Sequence, residues 1–220
     1  MRLRIYQIEP DKDANRLKFR PYKDVDEVDP AIYRKVFDAE ADVEHLEGAF
    51  YMFNNADPHP LFNGHSMAMS DVVVTEEGSF YCDSIGFQKI DFDESKVDTS
   101  DLIKVLFVEP HKAPYVAEIP DTLEAKQQAV GGNIEYVYNT DETALIGDEE
   151  AKLTYKEGNR YLDGGGIIAG NFLVVGLGDE DCRSLTDAEV DKYSKKYFDA
   201  PDISPEETAA DVGFRFIGFM

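Results

Sequence analysis

At 220 residues the chain has room for one large or two small domains, and its 43% apolar content is enough for a packed core. It carries 45 acids against 22 basic residues, a formal charge of −23. That sign excludes free DNA, free RNA and anionic membrane surfaces as direct ligands, and it favours basic protein surfaces.

The two cysteines, Cys82 and Cys182, give neither a disulfide framework nor a zinc pattern. The N-terminus lacks an apolar signal core, and no apolar run approaches the ~20 residues a membrane span needs. A cytoplasmic protein is expected.

Leu3 to Ile8 reads as a strand, and Leu17 to Tyr22 as a second short one. Asp29-Pro30 has the form of an N-cap with proline at the first helical position. Ile32 to Phe37 is open between helix and extended chain. A helix is expected from Asp42, with Val43, Leu46, Phe50 and Phe53 on one face, ended by Asp57-Pro-His-Pro60. Val72-Val73-Val74 and Phe80 to Cys82, joined across Glu76-Glu77-Gly78, form a hairpin. Gly86 to Ile90 extends it. Asp91 to Asp101 is acidic and without period, and is expected as a linker centred on residues 93–101.

The second half starts with a strand over Ile103 to Val108, and Tyr115 to Ile119 is the returning strand. Asp121 and Glu124 have capping-box spacing before a helix that stops at Gly131-Gly132. Ile134 to Tyr138 and Thr143 to Ile146 read as strands. Phe172 to Val175 reads as a fully buried one. Thr186 and Glu189 form a second capping box, and the helix after it buries Val190, Tyr193 and Tyr197. Asp199 to Ala210 is polar, and Phe214, Phe216 and Phe219 close the chain as a docked strand or an exposed tail. Strands dominate and no βαβ repeat occurs. The expected class is α+β, two small domains at 1–92 and 102–220, each a mainly antiparallel sheet with a few short helices.

Phe62-Asn-Gly-His-Ser-Met-Ala-Met-Ser-Asp-Val-Val-Val74 and Gly78-Ser-Phe-Tyr-Cys-Asp-Ser-Ile-Gly-Phe87 give the first half its resemblance to the YodL-like family. The second half resembles an uncharacterised family of phages, conjugative elements and gut bacteria. The residues that carry this are Ile103 to Pro110, Thr122 to Glu124, Val130 to Tyr138, Asp148 to Lys152 and Ile168 to Gly176. The resemblance implies an accessory module of a mobile element and supplies no catalytic residue set.

His65-Ser66 and Ser70-Asp71 invite a hydrolase reading. Neighbours on a strand face opposite ways, however, and no nucleophile elbow occurs, so a turn before the valine strand is expected. Cys82 reads as a small buried strand residue. The glycines at 164–166 and 176–178 lack phosphate-loop spacing. His45, His59, His65 and His111 are not at metal-ligand spacing, and no metal or cofactor is expected.

What remains is the acids. Asp141, Glu142, Asp148, Glu149, Glu150, Asp179, Glu180 and Asp181, with Phe214, Phe216 and Phe219, are the expected partner-binding residues. The expected function is a non-enzymatic inhibitor of a host DNA-binding defence protein, of anti-restriction or anti-CRISPR type. It would imitate the charge of DNA, which requires acids on one contiguous face. A protein-interaction adaptor acting through the C-terminal aromatics is the alternative.

Overall fold

The structure is a computed structural model, described for residues 1–138, 142–179 and 181–211. It divides into two compact units, Met1–Leu102 and Ile103–Met220. Each is α+β with mainly antiparallel sheet.

The first unit is a five-stranded sheet built from β1 (Arg2–Ile8), β2 (Tyr33–Glu40), β3 (Val72–Thr75), β4 (Gly78–Cys82) and β5 (Phe87–Ile90), in the order β2-β1-β3-β4-β5. Every adjacent pair is antiparallel. Period-two alternation sends Tyr6, Ile8, Val72, Val74 and Tyr81 into a core with Phe92 and Val97. On the other side Phe37 meets Phe53 at 4.8 Å between ring centres, and Phe53 meets Phe62 at 4.7 Å. Phe53 directly follows α1 (Leu46–Met52).

In this unit one open reading is settled and three expectations change. The open segment after Ile32 is the eight-residue strand β2, whose Tyr33, Val36, Phe37 and Ala39 are buried. Leu17 to Tyr22 is not a strand. Its backbone passes through the left-handed region at Phe19, φ 66°, and so does Arg16 just before it, φ 54°, which breaks a strand. The helix begins at Leu46 rather than Asp42. His45 caps it, its ring nitrogen accepting from the Gly48 N–H at 2.9 Å, and Phe50 points outward. The stretch 93–101, expected as a linker, packs onto this unit. Val97 is buried in its core, and Arg4 donates to Glu94 at 2.6 Å.

The second unit contains β6 (Leu102–Val108), β7 (Tyr115–Pro120), α2 (Leu123–Val130), β8 (Ile134–Tyr138), β9 (Thr143–Asp148), β10 (Gly158–Tyr161), β11 (Ile167–Ala169), β12 (Phe172–Leu177), β13 (Cys182–Arg183), α3 (Asp187–Lys196) and α4 (Pro205–Ala210). The main sheet runs β7-β6-β12-β9-β8, with β13 on the far end of β12, and β10 pairs with β11 separately.

Its central strands are apolar at consecutive positions because both faces are covered. Leu106, Val108, Leu145, Phe172 and Val174 meet Tyr193 and Tyr197 at α3. The alternate residues Val105, Phe107, Ala144, Ile146, Leu173 and Val175 are also buried, and α2 packs on β9 and β12.

The N-cap of α2 is Thr122, not Asp121, while Gly131 at φ 72° ends the helix as expected. Thr186 and Glu189 form the expected capping box. Elements the sequence did not signal include β10, β13 and α4. β10 carries Asn159 and Arg160, polar yet buried, because their donors are taken up by the carbonyls of Val108, Gly170, Lys112 and Tyr197.

Candidate functional site

The residues of the hydrolase reading hold the backbone of the first unit. Gln7, on β1, is 1% exposed, and its amide donates to the Asp71 carboxylate at 2.9 Å and to the His65 carbonyl at 2.8 Å. Its carbonyl accepts from the His65 N–H at 3.0 Å. The Ala68 N–H donates to the same Asp71 oxygen at 2.8 Å. Burial pushes the Asp71 carboxyl up to about 6.

Ser70 adopts φ 85°, and its hydroxyl accepts from the Phe19 N–H at 3.1 Å. The His65 ring contacts the Ser66 carbonyl rather than its hydroxyl. Burial pushes the Cys82 thiol up to about 12, so little thiolate forms at neutral pH. The turn expected before the valine strand is present, and its polar atoms are engaged in holding the irregular segment 63–71 against β1.

The partner-binding acids of the second unit do not form one cluster. Glu142 stands at the start of β9, beside Asp179 and Asp181 in the β12–β13 turn, since the Leu177 N–H donates to the Glu142 carbonyl at 2.8 Å. Glu149 and Glu150 follow the other end of β9. Six strand residues, on the order of 20 Å, separate the two groups.

Asp148 is corrected outright. Its side chain is 4% exposed and pairs with the Lys156 ammonium at 2.7 Å, so it presents no charge to a partner. Gly132 lies so close that a β-carbon there would meet the Asp148 carboxylate. Asp141, Glu180, Phe214, Phe216 and Phe219 lie outside the described residues.

The larger concentration of acid is in the first unit, at a place not read from the sequence. A cleft of about 560 Å³ is lined by Met1 and Arg2 at the start of β1, Glu40 at the end of β2, Glu44 to Glu47 leading into α1, Thr75 to Glu77 at the β3–β4 turn, and Phe80 of β4. Antiparallel pairing of β1 with β2 and β3 brings these distant segments together. Five glutamates therefore face one hollow.

Arg2 pairs with the Asp38 carboxylate at 2.5 Å, and the Met1 ammonium lies 3.8 Å from Glu40. Among the described residues the ion-pair partner of Glu47 is the His45 ring, at 3.9 Å. Among the described residues Glu44, Glu76 and Glu77 have no ion pair. Phe80 and Leu46 add apolar wall, and the Lys89 ammonium lies 5.8 Å from the centre of the Phe80 ring.

Glu76 and Glu77 were visible only as a turn, and nothing in sequence links them to Glu40, Glu44 and Glu47. No group of three or more His, Cys, Asp or Glu among the described residues is arranged to hold a metal ion. The arrangement suits a cationic group with an apolar stem, such as arginine or lysine, which could place its charge among the glutamates and its methylenes on Phe80.

No described helix is long and apolar enough to cross a membrane. The family model of the YodL-like domain matches residues 2–92, and that of a domain of unknown function, DUF3846, matches residues 103–198. No curated protein and no solved structure matches the chain. The chain is thus a YodL-like domain fused to a DUF3846 domain.

Proposed function

We propose that this protein is a non-enzymatic accessory protein that binds a basic partner protein and blocks the partner's own use of its basic surface. The observation that carries the reading is the cleft of the first unit, where five glutamates and a phenylalanine converge on a hollow whose lining cations are Arg2 and the Met1 ammonium. A host nuclease or CRISPR effector, which grips DNA through a basic channel, is the partner class proposed. The mobile-element setting implied by the resemblance supports that choice.

The charge is shared between the units. Met1–Leu102 holds 22 of the 45 acids and 11 of the 22 basic residues. Long-range steering toward a basic groove is therefore a property of the whole chain, while the cleft supplies the short-range contact. The split of the second unit's acids between two ends of β9 weighs against imitation of a continuous DNA backbone by that unit. Capture of arginine or lysine side chains by the cleft needs no such continuity.

The test is a titration of the full chain into a fluorescein-labelled peptide of alternating arginine and phenylalanine, read by anisotropy at low and high salt. Binding is expected to weaken as salt rises and to be lost in the double variant Glu76→Lys/Glu77→Lys. The same variant should no longer inhibit cleavage by any DNA-cutting nuclease that the native chain inhibits. Peptide binding that ignores both salt and these reversals sinks the reading.

A further inference from the structure

We infer that the first unit carries its own ligand for this cleft: the strip Arg16-Leu-Lys-Phe-Arg-Pro-Tyr-Lys23 of one copy docks in the cleft of a second copy. The inference rests on the cleft's taking cationic side chains, and it adds a partner that the proposed function does not name.

Residues 14–23 contain no acid and four cations, in a chain with twice as many acids as bases. Among the described residues none of Arg16, Lys18, Arg20 and Lys23 has an ion pair. Most other cations of this unit do, among them Arg2, Arg4, Lys12, Lys35 and Lys96. Arg16, Arg20 and Lys23 are exposed. Phe19 stands 57% exposed between them, with the Lys18 ammonium 5.3 Å from its ring centre. Cations around an exposed aromatic are the residue types that anchor protein interfaces.

The strip is also fixed in place. The Asp13 carboxylate accepts from the Leu17 and Lys18 N–H groups at 2.7 and 3.1 Å. Ser70 holds Phe19, the Tyr81 hydroxyl donates to the Arg20 carbonyl at 2.8 Å, and Asp83 accepts from the Tyr22 N–H at 3.1 Å. These bonds maintain Arg16 and Phe19 at positive φ, 54° and 66°. A loop whose backbone is already held in place, with an aromatic ring in solvent, lowers the ordering cost of an outside contact.

Geometry selects a second copy over the same one. The strip is tied to Ser70, Tyr81 and Asp83, at one end of the β3–β4 hairpin. The cleft is at its other end, around Thr75 to Glu77. Four or five strand residues, on the order of 15 Å, separate them, and the anchoring bonds keep the strip from reaching its own cleft. Basic strip and acidic cleft on opposite ends of one sheet define a head-to-tail contact. The net charge of each copy opposes association. At physiological ionic strength that repulsion is largely screened beyond about 8 Å, whereas close contacts inside the cleft are screened less.

The experiment is sedimentation velocity of the full chain across a concentration series at physiological salt. Association is expected for the native chain. It is expected to be lost in Arg16→Glu/Arg20→Glu and in Glu76→Lys/Glu77→Lys, and to return when the two double variants are mixed in equal amounts. Phe19→Gly suits the left-handed backbone there, so the fold is retained, and association should weaken about tenfold. A monomeric native chain, or association that neither reversal touches, overturns the inference. A monomer that still binds the arginine–phenylalanine peptide removes only the pairing of copies. Failure of the peptide removes the cleft reading as well.

Discussion

Buried carboxylates in the two units are kept in opposite ways: Asp148 of the second unit and Asp38 of the first are paired with cations, whereas Asp71 of the first is not. Asp148 of the second unit is buried with a cation: Lys156 pairs with it and also donates to the carbonyls of Val130 and Gly131 at the end of α2. Asp71 of the first unit is 1% exposed and has only neutral donors, Gln7 and the Ala68 N–H, at hydrogen-bond distance. The first arrangement keeps the charge in place by compensation. The second leaves it poorly compensated, which is why the Asp71 carboxyl titrates near 6. A buried acid is thus no sign of partner binding or catalysis in either unit. The carboxylates available to a partner are those that stay in solvent, and in the first unit five of them share a cleft.

The comparison breaks most sharply at Lys156. Lys156→Met strands Asp148 without its cation and frees two carbonyls. Removing one partner of a buried pair costs about 3–5 kcal/mol. Urea denaturation should show that loss, and Asp148→Asn in the same background should recover part of it, since the amide carries no charge. A loss no greater in Lys156→Met than in the double variant would mean that the pair is not the reason Asp148 tolerates burial.

Asp71 gives the next largest effect, and its sign is opposite to that of a salt-bridged acid. Its pKa is raised in the folded state above the 3.8 of a free aspartate, so the native chain holds a proton that the unfolded chain has released. Stability from this group is full below about pH 4 and falls as pH rises through about 6. About two pKa units correspond to about 3 kcal/mol. Asp71→Asn should remove that slope. Subtracting its stability from that of the native chain, measured between pH 4 and 7.5, isolates the term from the relief of general acid repulsion. A flat difference would show that Asp71 is better compensated than its neighbours indicate.

Legibility in the sequence followed how local the controlling interaction is. The valine hairpin was readable because its apolar run and its Glu-Glu-Gly turn lie within a dozen residues, as was the strand Phe172 to Val175 from its own unbroken apolar run. Leu17 to Tyr22 looked like a strand because Leu17 and Phe19 alternate. What decides its path is Asp13 and Ser70, the latter fifty-one residues distant from Phe19. β10 was invisible because burial of Asn159 and Arg160 depends on carbonyls from three other segments. The cleft was invisible for the same reason: its glutamates lie in stretches that only sheet pairing unites. Charge was countable from the start, but whether a given acid is spent on a lysine, as Asp148 is, depends on tertiary placement alone.

The smallest effect concerns a feature read correctly from four residues. Thr186 accepts from the Glu189 N–H, and the Glu189 carboxylate accepts in return from the Thr186 N–H at 2.8 Å, so the first turn of α3 has both donors satisfied. Glu189 also receives Arg183 at 2.7 Å, and that guanidinium holds its carboxyl down to about 2. Thr186→Ala removes one half of the reciprocal pair and should destabilise by about 1 kcal/mol. Thr186→Ser, which keeps the hydroxyl, should retain most of the stability. Because Tyr193 and Tyr197 pack α3 into the core of the second unit, the loss should register in the same unfolding transition as that of Lys156→Met. Two separate transitions would mean that α3 can leave the sheet while the Asp148–Lys156 pair holds.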